Sequence, residues 1–297
     1  MLEPTSAAHP RQGHDPIWAR AVARLTPVDE ITIESAQVGL IGVGNMGEAL
    51  LVALLRAGAS AEKINFAVRR SERSEQLTAR YGIRAATIEE LAARSDVLMI
   101  IVKPHDLAEI MERVKPVLKS GALVISFLAG KKIATLEVGL ATSAVARVMP
   151  NTPTLLGAGM SIVSFGSGIR SDQRRFVNKF LEAAGKSAEM EEELQDAAAA
   201  TSGSGPAYFF AFVEAMVAGA TQMGIDAATA NTLVIQTILG AAKMLNESGK
   251  SATTLRENVT SPKGMTFEGL KVMSEGDLSG LVARAMGAAA DRSREMA

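Results

Sequence analysis

From Gln37 to about Glu191, short apolar runs alternate with stretches whose apolar residues recur at helical spacing. The runs Val38–Val43, Ile64–Val68, Val97–Val102, Leu123–Phe127, Ala144–Val148 and Met160–Phe165 are rich in β-branched residues and are predicted as strands. Between them, Glu48–Ala57, Ser71–Tyr81, Ala108–Leu118 and Ser171–Ala184 are predicted as helices. Near-continuous apolar strands alternating with helices specify a mainly parallel sheet covered on both faces, the doubly wound α/β arrangement. After Glu191 the strand signals stop. Leu194–Ser202, Pro206–Met223, Ala227–Ser248, Thr253–Asn258, Thr266–Ser274 and the chain from Leu278 onward read as helices, broken at Gly203–Pro206, Gly224, Gly249 and Ser261–Gly264. The expected order is an extension over residues 1–35, an α/β domain over 36–191 and an all-α domain over 192–297.

Composition narrows the functional classes. A chain of 297 residues has room for two domains of ordinary size, each with its own core. A net charge of −1 gives no reason to expect a nucleic acid or an acidic membrane as partner. The absence of cysteine excludes disulfides and thiolate zinc sites and suits a reducing cytosol, so the expected location is cytoplasmic. The longest apolar runs, such as Val97–Val102 and Ala207–Val213, are far too short to span a bilayer. The first 35 residues differ from the rest, with His9, Pro10, Gly13, His14 and Pro16 followed by a short predicted helix, Ile17–Leu25. They lack the apolar core of a secretory signal, and Asp15, Asp29, Glu30 and Glu34 count against a transit peptide. A partly disordered extension is expected there.

The stretch VGLIGVGNMGEAL places Gly42, Gly44 and Gly47 in G-x-G-x-x-G spacing after the first strand and at the start of a helix. In that context the first glycine permits the tight turn, the second lets a pyrophosphate approach the backbone, and the third lets helix pack on strand. An NAD binder would carry Asp or Glu at the end of the second strand. Here INFAV runs into Arg69, Arg70, Ser71 and Arg73. Guanidinium groups suit a 2′-phosphate, which favours NADPH, while Glu72 leaves NADH use open.

Other candidates follow strands or open helices. Lys103, Pro104 and His105 come after VLMIIV, where residues beyond the carboxyl ends of strands line the ligand crevice; Lys103 either faces the cofactor or is a surface lysine. ARVMPNTP puts Met149, Pro150 and Asn151 in a rigid turn, suited to the nicotinamide end or to structure alone. In SGSGPAYFFAF, Tyr208, Phe209 and Phe212 read as core or subunit contacts. Near the C-terminus, Thr260, Ser261 and Pro262 of NVTSPKGMTFEGL look like a helix start. Lys263, Gly264, Met265 and Thr266 then lie where backbone N–H groups are free to hold a small anion. The sequence contains no Ser-His-Asp pattern, no paired-carboxylate signature, no HExxH and no metal-ligand set. Hydride transfer fits this inventory, because the cofactor carries the hard chemistry.

IGVGNMGEAL, VKPH, RVMPNTP, SGSGPAYFF followed by VEAM, and NVTSPKGMTFEGL, in this order, resemble pyrroline-5-carboxylate reductase, and the likeness runs from about Val38 to the C-terminus. The resemblance implies a Rossmann-type N-terminal domain and C-terminal helices intertwined in a homodimer, with further assembly commonly into decamers of five dimers. It implies NAD(P)H-dependent reduction of (S)-1-pyrroline-5-carboxylate to L-proline. The substrate carboxylate would sit on the segment Ser261–Thr266, with Thr266 bonding the ring nitrogen as the catalytic hydroxyl and Asn258 nearby. Asn45, Met46, Ser71, Lys103 and the turn Met149–Asn151 would contact the cofactor. The family usually reads Ser-Pro-Gly-Gly-Thr/Ala-Thr where this chain has Lys263 and Met265. A lysine at 263 would cost about 1–2 kcal/mol if that position needs a positive φ. A larger cyclic imine acid as substrate, or a dinucleotide-binding paralogue without catalysis, are the alternative expectations.

Overall fold

The computed structural model describes residues 30–296, and the predicted helix Ile17–Leu25 lies outside them. Residues 31–35, assigned by pattern to the extension, are packed: the Ile31 N–H donates to Asp172 Oδ2 at 3.1 Å, and Ile33 is buried in the core.

The described residues build an eight-stranded sheet. Its strands are β1 (Val38–Ile41), β2 (Ile64–Ala67), β3 (Arg84–Ala85), β4 (Val97–Ile100), β5 (Leu123–Ser126), β6 (Val145–Met149), β7 (Gly159–Phe165) and β8 (Gly185–Glu189). They lie in the order β3-β2-β1-β4-β5-β6-β7-β8. The first six are parallel, β7 runs antiparallel to β6, and β8 is parallel to β7. Alternation within the strands explains the two-sided cover. Val38, Leu40, Val97, Met99, Leu123 and Ile125 join one apolar cluster, while Ile41, Leu98, Ile100 and Val124 join the other.

Helices α1 (Asn45–Ala57), α2 (Ser71–Tyr81) and α6 (Ser171–Ala184) close the first face through residues such as Leu50, Leu54, Leu77, Phe176 and Phe180. Helices α3 (Ile88–Arg94), α4 (Leu107–Val114) and α5 (Ile133–Leu140) close the second through Leu91, Ile110, Val114, Leu136 and Leu140. The doubly wound α/β class is the one the strand pattern specifies. β3, β8, α3 and α5 escaped that pattern. β3 is two exposed residues, and β8 is a polar edge strand, Gly-Lys-Ser-Ala-Glu. Edge strands need only one partner and carry little apolar signal.

Beyond Glu191 all described elements are helical: α7 (Gln195–Ala198), a π-helical turn over Ala199–Gly203, α8 (Gly205–Gln222), α9 (Ala227–Glu247), α10 (Ala252–Asn258), α11 (Met265–Glu275) and α12 (Leu278–Glu295). Among the described residues no helix is long and apolar enough to cross a membrane. The helices from α8 onward bury few side chains of their own. Phe209, Phe210, Leu239 and Met265 are 63%, 62%, 60% and 95% exposed.

A buried cation is one of the ties between the helical part and the sheet. Arg147 on β6 donates to Glu192 Oε1 at 3.1 Å and to Asp196 Oδ1 at 3.2 Å. Ser293 of α12 donates to the same Asp196 oxygen at 2.8 Å. Removing one partner of such a group strands the others in a water-poor site. Arg147→Leu is expected to lower unfolding free energy by about 3 kcal/mol. Urea denaturation checks this, and a loss well under 1 kcal/mol would show that the anchor is dispensable.

Candidate active site

β1 ends in a turn that only glycine satisfies. Gly42 has φ +89°, and a Cβ there would lie 2.8 Å from the Ile101 carbonyl oxygen. A Cβ on Gly47 would meet Gly42 O at 2.6 Å, so this residue sets how closely α1 approaches β1. Gly44, by contrast, faces open space and caps α1 without any side-chain hydrogen bond. The Glu48 N–H finds the Gly44 carbonyl at 2.9 Å, leaving the N–H groups of Asn45, Met46 and Gly47 turned outward without intrahelical acceptors. A helix start of this kind receives an anion.

Two crevices flank the turn. One, of about 610 Å³, lies over the ends of β1, β2 and β4, lined by Gly42, Gly44, Arg69, Arg70, Arg73, Thr87, Lys103 and Asp106 among others. The second, of about 720 Å³, extends over β4, β5 and β6, with Asn45, Met46, Lys103, Pro104, Phe127 and Met149 in its wall. Together they occupy the carboxyl ends of the strands where the sheet order reverses, the ligand position of open α/β sheets. Ser71 opens α2 beside the first crevice without lining it. Pro150 and Asn151 line neither crevice. The Asn151 side chain is committed to structure instead: Nδ2 donates to Ser202 O at 3.0 Å, and Oδ1 accepts the Met160 N–H at 2.9 Å. The turn after β6 and the Ser202–Gly205 segment therefore hold each other.

The three arginines after β2 divide into different roles. Arg69 pairs with Asp106, and Arg73 donates through Nε to Val43 O at 3.1 Å and through Nη2 to Glu48 Oε2 at 2.5 Å. Among the described residues only Arg70 of the three has no ion pair. Glu48 is the hub beneath the turn, accepting also from the Tyr81 hydroxyl at 2.6 Å and from Arg80 at 3.0 Å. The Tyr81 hydrogen bond, then the Arg73 guanidinium, hold its carboxyl below the usual carboxylate range. Burial, followed by the Glu48 bond, pushes the Tyr81 hydroxyl up. Sequence reading missed Glu48 and Asp106; their signal was an acid within reach of an arginine cluster.

The second candidate segment forms the predicted helix to within a residue at its start, but not the predicted cap. α11 begins at Met265 with Gly264 as its N-cap, so Thr260, Ser261 and Pro262 precede the helix rather than cap it. The Gly264 N–H bonds to Ser261 O at 3.0 Å, and the Ser261 hydroxyl fills the space a Cβ on Gly264 would need. Lys263, at the corner of this turn, has φ +60°. Asn258, Ser261, Met265 and Thr266 are exposed, and no residue from 258 to 266 lines either crevice within the chain. His105 is exposed, with Nε2 3.5 Å from Asp106 Oδ1. Among the described residues no group of His, Asp and Glu has the grouping of a metal site.

Comparison with known proteins decides the family. Residues 192–296 match the family model described as pyrroline-5-carboxylate reductase dimerisation, and residues 37–130 match that of NADP oxidoreductase, coenzyme F420-dependent. The pyrroline-5-carboxylate reductase of Corynebacterium melassecola is 37% identical over 264 residues, covering 87% of this chain and 98% of that protein. The enzyme of Vibrio alginolyticus is 38% identical, with 89% and 98% covered. The chain belongs to the pyrroline-5-carboxylate reductase family. Among solved structures, the Plasmodium falciparum pyrroline carboxylate reductase with NADP bound superposes with a TM-score of 0.81 at 30% identity, covering 89% of this chain and 98% of that one. The reductase of Coxiella burnetii gives 0.82 at 32%, covering 89% and 99%. Both family models fall on described parts of the chain: one spans the glycine turn and the first crevice, the other the helices from α7 to α12.

Two measurements follow from these local structures. Glycine adopts the left-handed backbone of position 263 without steric cost, so Lys263→Gly is expected to stabilise the fold by about 1 kcal/mol. A urea midpoint that does not rise would contradict the strain at this turn. The depressed Glu48 carboxyl contributes stability that is fully present above its unfolded value and drains as pH falls through the lower folded value. The stability gap between the parent and Glu48→Gln should therefore be constant near neutrality and shrink below about pH 4.5. A gap independent of pH down to acid unfolding would show that the carboxylate's charge is not what the cluster uses.

Proposed function

We propose that the chain reduces (S)-1-pyrroline-5-carboxylate to L-proline in the cytoplasm, with NADPH preferred and NADH accepted. The observation that carries this reading is the 37% identity extending over 98% of a reductase of that name. The relatives are named for the five-membered imine, which favours it over the larger-ring and non-catalytic alternatives. Within this reading, residues 36–191 bind the dinucleotide and residues 192–297 carry substrate and dimerise.

The local geometry fits a dinucleotide. The pyrophosphate takes the open side of Gly44 and the free N–H groups of α1, where helix dipole and backbone donors favour negative charge. Gly42 and Gly47 shape the turn, while Asn45, Met46, Lys103, Pro104 and Met149 line the nicotinamide crevice. Arg69 and Arg70 face the 2′-phosphate, with Ser71 at the adjoining helix start. Pro150 and Asn151 act by fixing the position of Met149. When bound, the nicotinamide supplies the hydride.

The rest of the chemistry is positioning by this chain. Ser261 and Gly264 shape the start of α11, whose free N–H groups receive the substrate carboxylate. The Thr266 hydroxyl hydrogen-bonds the ring nitrogen and so orients the C=N bond. Asn258 and Met265 bound the pocket. Because these residues line neither crevice of their own chain, a second copy of the chain brings them to the nicotinamide. The exposed apolar faces of α8 and α9 are its contact surface, and the dimerisation model covers both helices. Orientation of this kind supplies several kcal/mol of a rate enhancement.

Oxidation of NADPH and of NADH is measured with purified protein over five- and six-membered imine carboxylates. The expected result is turnover dependent on imine, fastest with the five-membered ring. Thr266→Ala is expected to lower kcat/KM for the imine by roughly 10- to 100-fold. An unchanged kcat in that variant would remove Thr266 from the reaction. A clear preference for the six-membered ring would replace the substrate.

A further inference from the structure

The crevice over β1, β2 and β4 holds an acid where a 2′-phosphate reader should be free of one. Asp106 enters from the turn after β4, only 14% exposed at its side chain, and pairs with Arg69 at the end of β2. Both residues line the same crevice as Gly42, Gly44 and Arg70. The other charged groups facing this space are Lys103, Glu109, Arg113 and Arg73. Arg73 is tied to Glu48 and Val43 O, and Arg113 donates to Glu89 Oε1 at 2.7 Å. Neither is turned to Asp106. His105 reaches it at 3.5 Å, but its ring is exposed.

A carboxylate paired with Arg69 competes for the guanidinium with any anion that arrives from the ligand side. It also repels a dianion in the same crevice. A ribose that ends in a hydroxyl presents no such competition. The pair therefore acts on one cofactor and not on the other. We propose that Asp106 is a specificity-determining residue: by occupying Arg69, it restrains the affinity for NADPH and keeps NADH a usable cofactor. This rests on the assignment of the crevice to the 2′-phosphate end of a dinucleotide. Asp106 touches no reacting atom; it acts through Arg69.

The test compares the parent with Asp106→Asn, Arg69→Ala and the double variant, each as the full chain. It uses steady-state kinetics with NADPH and NADH and equilibrium binding of 2′,5′-ADP and 5′-AMP. For Asp106→Asn the expected result is a roughly tenfold rise in the NADPH-to-NADH ratio of kcat/KM, carried by a lower KM for NADPH and not by kcat. Binding of 2′,5′-ADP should tighten to match, and the gain should vanish in the double variant. The inference is overturned if the ratio does not move, or if the gain survives removal of Arg69. It is overturned also if the ratio moves because NADH binding weakens, since Asp106 would then be a direct acceptor for the ribose hydroxyl. The preference for NADPH fails separately: the parent itself would show the higher kcat/KM with NADH, whatever Asp106→Asn does.

Discussion

The close approach of β1, β4 and α1 is the constraint on which the rest of the site depends. At Gly42 the chain must reverse within contact of the Ile101 carbonyl, and at Gly47 the helix must start within contact of Gly42 itself. A methyl group at Gly42 would drive the turn off the chain leaving β4, and one at Gly47 would push the helix off the turn. The loop would then no longer present three outward N–H groups, and both crevices would change shape. Gly44 has a different duty. None of the described residues approaches it, so within them its missing side chain relieves no clash.

Charge holds this arrangement where sterics cannot. The Val43 carbonyl, between two of the glycines, accepts from Arg73, and Arg73 is fixed by Glu48, the residue after the third glycine. The loop is thus braced by the first turn of the helix it opens, through an arginine from the next helix along. Tyr81 and Arg80 complete the shell around the same carboxylate. A network of this density costs side-chain entropy but leaves a loop with one conformation, which is what recognition by backbone N–H groups requires.

Much of this was legible in the sequence, for a physical reason in each case. The central strands announce themselves because both faces are buried and most of their residues are apolar, as in Val-Leu-Met-Ile of β4. The glycine turn is legible because no other residue type fits its backbone. The edge strands β3 and β8 carry no such demand and were invisible. The start of α11 was placed to within a residue, but its cap was misread, because Ser261 and Pro262 have the composition of a cap, while the chain spends them on a turn before Gly264. The roles of Arg69, Arg73 and Asn151 were hidden for a common reason. Each has at least one partner between 30 and 51 residues away in sequence, and spacing cannot reveal such partners.

Lys263 shows how the two ends of the proposed site differ in kind. The dinucleotide end is built from residues that relieve strain, glycines placed where a side chain would clash. The substrate end keeps a lysine at φ +60°, a conformation that L-residues other than Asn and Asp seldom adopt. The turn is exposed, so packing within the chain does not force this backbone on it. The hydrogen bond from Gly264 N–H to Ser261 O closes the turn immediately before α11. Strain of this sort persists where the geometry it creates is used elsewhere. The start of α11, whose first N–H groups find no acceptor among the described residues, is where that use would lie.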